Sequence, residues 1–96
     1  MKPVRFHPAA EAEMVAAAVY YEQQLADLGK RFLVSVQEAV SKIQIDPQLY
    51  PVVDLDVRRC LTRTFPFGIL YRELPKHIVV VAVMHLHRDP DYWKNR

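Results

Sequence analysis

Residues 57–86 read VRRCLTRTFPFGILYRELPKHIVVVAVMHL, and this stretch decides the fold. It divides at two breakers. Phe65-Pro66 separates 57–64 from 67–74, and Pro75-Lys76 separates 67–74 from 77–86. Proline presets a turn backbone and cannot donate to a ladder, so the spacing predicts three strands joined by short turns. The last of them is apolar at nearly every position. Strict alternation places Val79, Val81, Val83 and His85 on one face and Ile78, Val80, Ala82, Met84 and Leu86 on the other. Two apolar faces predict a central strand covered on both sides. In the middle strand Phe67, Ile69, Tyr71 and Glu73 alternate with Gly68, Leu70, Arg72 and Leu74. In the first, Arg59, Leu61 and Arg63 fall on one face by the same rule.

Upstream, residues 2–6 (KPVRF) predict a short strand with Pro3 at its start or on an edge. His7-Pro8 opens a helix, since proline is favoured at the first helical position. The helix is Ala-rich and of high intrinsic propensity. Its expected inner stripe is Ala12, Val15 and Val19, with Ala16 and Tyr20 beside it, and Gly29 is expected to close it. A second helix from Lys30 repeats apolar residues at Phe32, Val36, Ala39, Val40 and Ile43. It ends at Asp46-Pro47, because a residue before proline resists the helical region. Residues 47–56 read as a loop. The expected fold class is α+β, with a two-helix hairpin on a curved, mostly antiparallel sheet of three or four strands, in the order β-α-α-β-β-β.

Ninety-six residues suit one domain spanning 1–96, with a single small core. Two glycines, Gly29 and Gly68, exclude phosphate-cradling glycine loops. One cysteine, Cys60, excludes a disulfide framework and a cysteine-based zinc site. No stretch reads as a signal peptide or a membrane helix, so a cytoplasmic protein with no membrane partner is expected. Charge is unevenly placed. Residues 1–56 hold five Lys/Arg against eight Asp/Glu, and residues 57–96 hold eight against three. An acidic or phosphate-bearing partner would be drawn to the second part.

The set VRRCLTRTFPFGILYRE followed by IVVVAVMHLHRDPDYWKNR resembles the RelE/ParE superfamily of bacterial toxins, also called plasmid stabilisation proteins. The resemblance spans nearly the whole chain. It rests on Arg59, Phe65-Pro66-Phe67, Ile69, Tyr71, Ala82-Val83, His85, Arg88, Pro90 and Trp93, in that order. It implies the toxin half of a type II toxin–antitoxin pair, a growth inhibitor blocked by a cognate antitoxin. It also implies one of two targets. RelE-like members cleave messenger RNA on the ribosome without metal, whereas ParE-like members inhibit DNA gyrase. Nuclease relatives typically carry an arginine three residues before the tyrosine that matches Tyr71, and lysines on the preceding strand. Here those positions hold Gly68 and Leu61 or Arg59, and with the long Ala-rich helical hairpin they point to the ParE side. A RelE-like endonuclease and a non-toxic antitoxin-binding relative are the alternatives.

If cleavage occurs, Arg59, Arg63 and Arg88 are the expected phosphate clamp, and His85, His87 or Tyr71 the expected proton carriers. In a docking protein Arg59, Arg63, Arg88 and Trp93 are the expected partner contacts. All of this assumes that the three arginines gather on one surface. His85-x-His87 with Asp89 and Asp91 has a loose metal-ligand spacing, but no third ligand is fixed, and neither a metal nor another cofactor is expected. Trp93 is expected to fold back over the sheet edge. Arg88 is expected either free or paired with Asp89, Asp91 or Glu73. Tyr20-Tyr21 and the Ala-rich face of the first helix suit packing on the second helix, or a homodimer contact.

Overall fold

The three strands of residues 57–86 form side by side. In the computed structural model, which covers residues 1–96, the elements are β1 (Val4–Phe6), α1 (Pro8–Gln24), α2 (Leu28–Ile45), β2 (Val52–Asp54), β3 (Val57–Leu61), β4 (Phe67–Glu73) and β5 (Ile78–His85). The sheet has five strands in the order β1-β5-β4-β3-β2. All neighbours are antiparallel except β1, which runs parallel to β5 through Val4↔Ile78 and Phe6↔Val80. The expected α+β class holds. The extra strand is β2, three residues inside the expected loop, too short to leave a periodic signal. Both helices pack on one face of the sheet.

Strict alternation fails within β5. Leu70 pairs with Ala82 and Tyr71 with Val80, so Val81 is one residue more than β4 can match. Such a bulge reverses the facing of everything beyond it. Ile78, Val80 and Val83 therefore join the helix-side core with Ile69 and Tyr71. Val81, Ala82 and Met84 join Val57, Leu70 and Trp93 on the opposite face. The strand is buried on both sides, as its composition predicts.

The inner stripe of α1 is not the expected one. Ala10 and Ala18 are buried, with Met14, Ala17 and Tyr21 packed beside them, whereas Val15, Val19 and Tyr20 are exposed. The helix is apolar nearly all round, so two stripes competed, and the one that carries Ala18 faces the core. The reason lies at Gly29, where an added Cβ would collide with the carbonyl oxygen of Ala18. Backbones approach that closely only where a side chain is missing. Gly29 therefore belongs to the first turn of α2 and does not close α1. The turn between the helices is made by Asp27, in the left-handed region at φ 69°. Glu22 completes it, accepting from the amides of Asp27 (2.8 Å) and Gly29 (3.0 Å), two donors that a helix start leaves unpaired.

The expected stripe of α2 is in place, with Phe32, Val36, Ala39 and Ile43 buried. The loop after β3 is anchored by aromatics. Phe65 packs edge-on against Tyr21 and Phe32, at 4.9 and 5.3 Å between ring centroids. No helix is long and apolar enough to cross a membrane.

Candidate functional site

The face of the sheet turned away from the helices carries residues 86–96. β1 ends at Phe6, so β5 beyond Val80 has no strand on its outer side. Backbone groups left there need partners. Two side chains supply them. Glu13 of α1 accepts from Val83 N at 3.1 Å, and Arg96 Nη1 donates to Val81 O at 3.0 Å. Glu13 also receives Arg96 at 2.9 and 3.2 Å and Arg88 at 3.3 Å. Tyr92 lies beneath both guanidiniums, 3.7 Å from Arg88 Cζ and 5.0 Å from Arg96 Cζ. Burial, with the Glu13 carboxylate close by, pushes its phenol well above the ordinary range. Lys94 adds contacts to Asp91 (2.9 Å) and Asp54 (3.9 Å). The result is a strap that holds Trp93, 2% exposed, against Val57, Leu70 and Met84. Trp93 thus covers the middle of a sheet face and not its edge.

Arg59 lies under this strap. Its aliphatic stem crosses β4 directly over Gly68, where an added Cβ would stand 2.9 Å from Arg59 Cδ. Arg59, Trp93, Leu70, Met84, Val53, Asp54, Pro90, Asp91 and Lys94 enclose a cavity of about 90 Å³. Gly68 leaves the space that the Arg59 stem fills.

The other expected residues lie elsewhere. β3 ends at Leu61, so the alternation that would put Arg63 beside Arg59 does not reach it. Thr64, at φ 73°, turns the chain, and Arg63 lines a polar hollow with Arg31, Ser35 and Glu38 of α2. Ser35 Oγ donates to the Arg63 carbonyl at 2.9 Å. Arg88 pairs with Glu13, none of its expected partners. The assumption that Arg59, Arg63 and Arg88 gather on one surface is therefore overturned. They sit respectively on the strapped face, beside α2, and at the end of β5 against α1.

Tyr71 is buried among the core residues beneath α2. Its hydroxyl donates to Pro47 O at 2.6 Å, and burial pushes its pKa up to about 12. His85 is half-buried on Phe67, 5.2 Å between centroids, and its Nδ1 accepts from His87 N at 3.1 Å. His87 is exposed. No group of three or more His, Cys, Asp or Glu side chains is placed to hold a metal ion. Sequence reasoning missed Glu13, Lys94 and Arg96. The available signal was Glu13 itself, an acid set among Ala10, Met14 and Ala17 on what proves to be the inner side of α1.

A second feature lies on the helix side. Val4 and Phe6 of β1, Met14 of α1, and Leu33, Val36 and Val40 of α2 line an apolar groove of about 440 Å³. It runs beside the outer edge of β1, which pairs with no strand.

The comparisons agree with this architecture. The family described as the ParE toxin of the type II toxin–antitoxin system parDE matches residues 4–90. A solved chain from the chromosomal ParDE toxin–antitoxin system of P. aeruginosa superposes with a TM-score of 0.65 at 19% identity, over 91% of this chain and 98% of that one. At that identity the likeness is one of fold. No curated protein sequence matches the chain significantly.

Proposed function

The chain belongs to the ParE toxin family of type II toxin–antitoxin systems, and on that premise we propose that it acts by docking to a protein target, DNA gyrase, and that a cognate antitoxin neutralises it. The observation that carries this reading is the dispersal of the groups a nuclease would need. Metal-free RNA cleavage requires cations and a proton carrier converging on one phosphate. Here Arg63 lies beside α2, away from Arg59 under the strap, Arg88 is paired with Glu13, and the Tyr71 hydroxyl is already donating to Pro47 O. A phenol held near 12 is a poor acid at neutral pH. A target in the bacterial cytoplasm places the toxin there too.

The antitoxin contact is supported by the groove beside β1. An open strand edge offers backbone hydrogen bonds to an extended segment, and the adjoining sockets accept alternate apolar side chains. Leu33 is exposed on that groove, so Leu33→Glu tests the contact with little cost to the fold. Antitoxin affinity should fall by about tenfold or more.

The decisive experiment pairs two assays on purified protein. Inhibition of gyrase supercoiling at micromolar toxin is the expected result. Codon-position cuts in a translating extract, without gyrase inhibition, would overturn it in favour of a RelE-like endonuclease. Activity in neither assay would mark a non-toxic antitoxin-binding member.

A further inference from the structure

We propose that Leu55, at the tip of the β2–β3 hairpin, is an anchor for a protein partner whose surface offers an apolar socket rimmed by Lys or Arg. Asp54 pairs with Val57, so Leu55 and Asp56 form a two-residue turn. Leu55 stands at φ 45°. The first place of such a turn takes a positive φ, and glycine, asparagine or aspartate normally fills it. A bulky side chain there costs free energy, because its Cβ crowds the following carbonyl. Nothing inside the chain offsets that cost. Leu55 is 88% exposed and belongs to neither core cluster. An exposed leucine by itself needs no explanation. A leucine that is both strained and exposed does, and strain kept without an internal contact points to an external one. The hairpin exposes Val52 and Val53 as well. Its short turn fixes the tip, so little freedom is lost on docking.

Charge selects the occupant. Asp54 and Asp56 flank the tip in sequence, and Asp91 of the strap lines one cavity with Val53 and Asp54. Asp56 pairs with Arg72, and Asp91 with Lys94. The two acid side chains are 66% and 65% exposed, whereas those of Arg72 and Lys94 are 24% and 42% exposed. The rim therefore presents its acids to solvent more than its cations. Such a rim repels nucleic acid and the same patch on a second copy, and it attracts a basic protein surface. The groove assigned to the antitoxin lies beside β1, at the other edge of the sheet, so the tip is left for the target.

The assignment to the target rests on the docking reading above, and the experiment separates the two. Asparagine accepts a positive φ and removes the apolar knob, so Leu55→Asn is the informative variant. A residue that served only the fold would lose stability on replacement. Leu55→Asn should instead raise Tm by roughly 4 °C. The concentration that half-inhibits gyrase supercoiling, and the expression level that stops growth, should both rise by about tenfold. Asp56→Asn should weaken inhibition several-fold at low salt, with the difference vanishing at high salt. Equal inhibition by Leu55→Asn, or a lower Tm, would overturn the anchor. Equal salt dependence in Asp56→Asn would overturn the basic socket. Self-association of the wild type that Leu55→Asn abolishes, read by sedimentation, would give the tip to a second copy and overturn the assignment to a target. A wild type that stops growth without touching gyrase, beside a Leu55→Asn variant that does not stop it, would keep the anchor and sink the gyrase reading. A wild type that does neither would overturn both.

Discussion

Replacing Glu13 by alanine removes the acceptor around which the strap is organised, and the cost can be worked from its contacts. Glu13 accepts from Val83 N, twice from Arg96 and once from Arg88. Its side chain is 13% exposed and that of Arg96 16%, whereas that of Arg88 is 53% exposed. The stranded Val83 amide costs ~1–3 kcal/mol. Breaking a fully buried ion pair costs ~3–5 kcal/mol, and this pair lies below that range because it is partly wet and Arg96 keeps Val81 O. Arg88 adds ~0.2–1 kcal/mol at most. These terms overlap, and a total of about 3 kcal/mol is expected for Glu13→Ala. For a domain of this size that lowers Tm by roughly 12–24 °C. Urea and thermal denaturation followed by circular dichroism measure the loss, and Trp93 emission reports whether the strap lifts first. Glu13→Gln, which keeps an acceptor for Val83 N, should cost about half as much. Arg88→Ala should stay below ~1 kcal/mol. A double-mutant cycle of Glu13→Ala with Arg96→Ala should return a coupling of at least ~1 kcal/mol. A loss under ~1 kcal/mol for Glu13→Ala, or strict additivity in the cycle, would refute the claim that this hub replaces a missing strand.

Gly29→Ala should destabilise by ~1–3 kcal/mol through overpacking, since the new methyl meets the Ala18 carbonyl oxygen first and then the Glu22 side chain; chemical denaturation reads it, and a neutral result would mean the helices separate freely. Tyr71→Phe should cost ~0.5–1.5 kcal/mol for the lost bond to Pro47 O and leave growth inhibition unchanged at equal expression, whereas loss of toxicity in a folded variant would restore a catalytic role. Glu22 is held below its ordinary 4.5, first by the Asp27 backbone amide. A depressed folded-state value means its contribution is complete above about pH 4.5 and is lost as pH falls through the folded value. The acid limb of the stability curve should therefore be shallower in Glu22→Gln, and carbon-13 titration of the Glu22 carboxyl should give a midpoint below 4.5.

The strands of residues 57–86 were legible because breakers and burial agree. Two prolines divide the stretch, and a run apolar on both faces can only be central. α2 was legible because one stripe is apolar and the rest polar. α1 was not, because Ala12, Val15, Ala16 and Val19 form as good a stripe as Ala10, Met14, Ala17 and Ala18. The choice between them is made by Gly29, on another element. The Val81 bulge left no mark either, as every residue near it is apolar and alternation cannot register a slip. The site suffered from both failures. Facing was read by alternation, which stops for Arg63 where β3 stops. Glu13 lies on a helix whose faces composition does not separate, so composition alone did not mark it as lying on the buried side.

The basic balance of residues 57–96 is a poor guide to surface charge, because most of those cations have assigned work. Arg58 donates to Gln48 O and Tyr50 O. Arg72 binds Asp56 and Arg96 O. Arg88 and Arg96 converge on Glu13, and Lys94 on Asp54 and Asp91. Several of these contacts are acids of the first half of the chain, so the charge asymmetry of the sequence is largely cancelled across the fold. Arg59, Arg63 and Lys76 form no ion pair. Of these, Arg63 and Lys76 are exposed, where water solvates a cation at no cost. Arg59 is half-buried, and of its guanidinium only Nε is closed off without an acceptor, so its terminal nitrogens stay open to water. The basic balance of residues 57–96 is therefore spent mostly inside the fold, on carbonyls and on acids of the first half of the chain, and not on one positive surface.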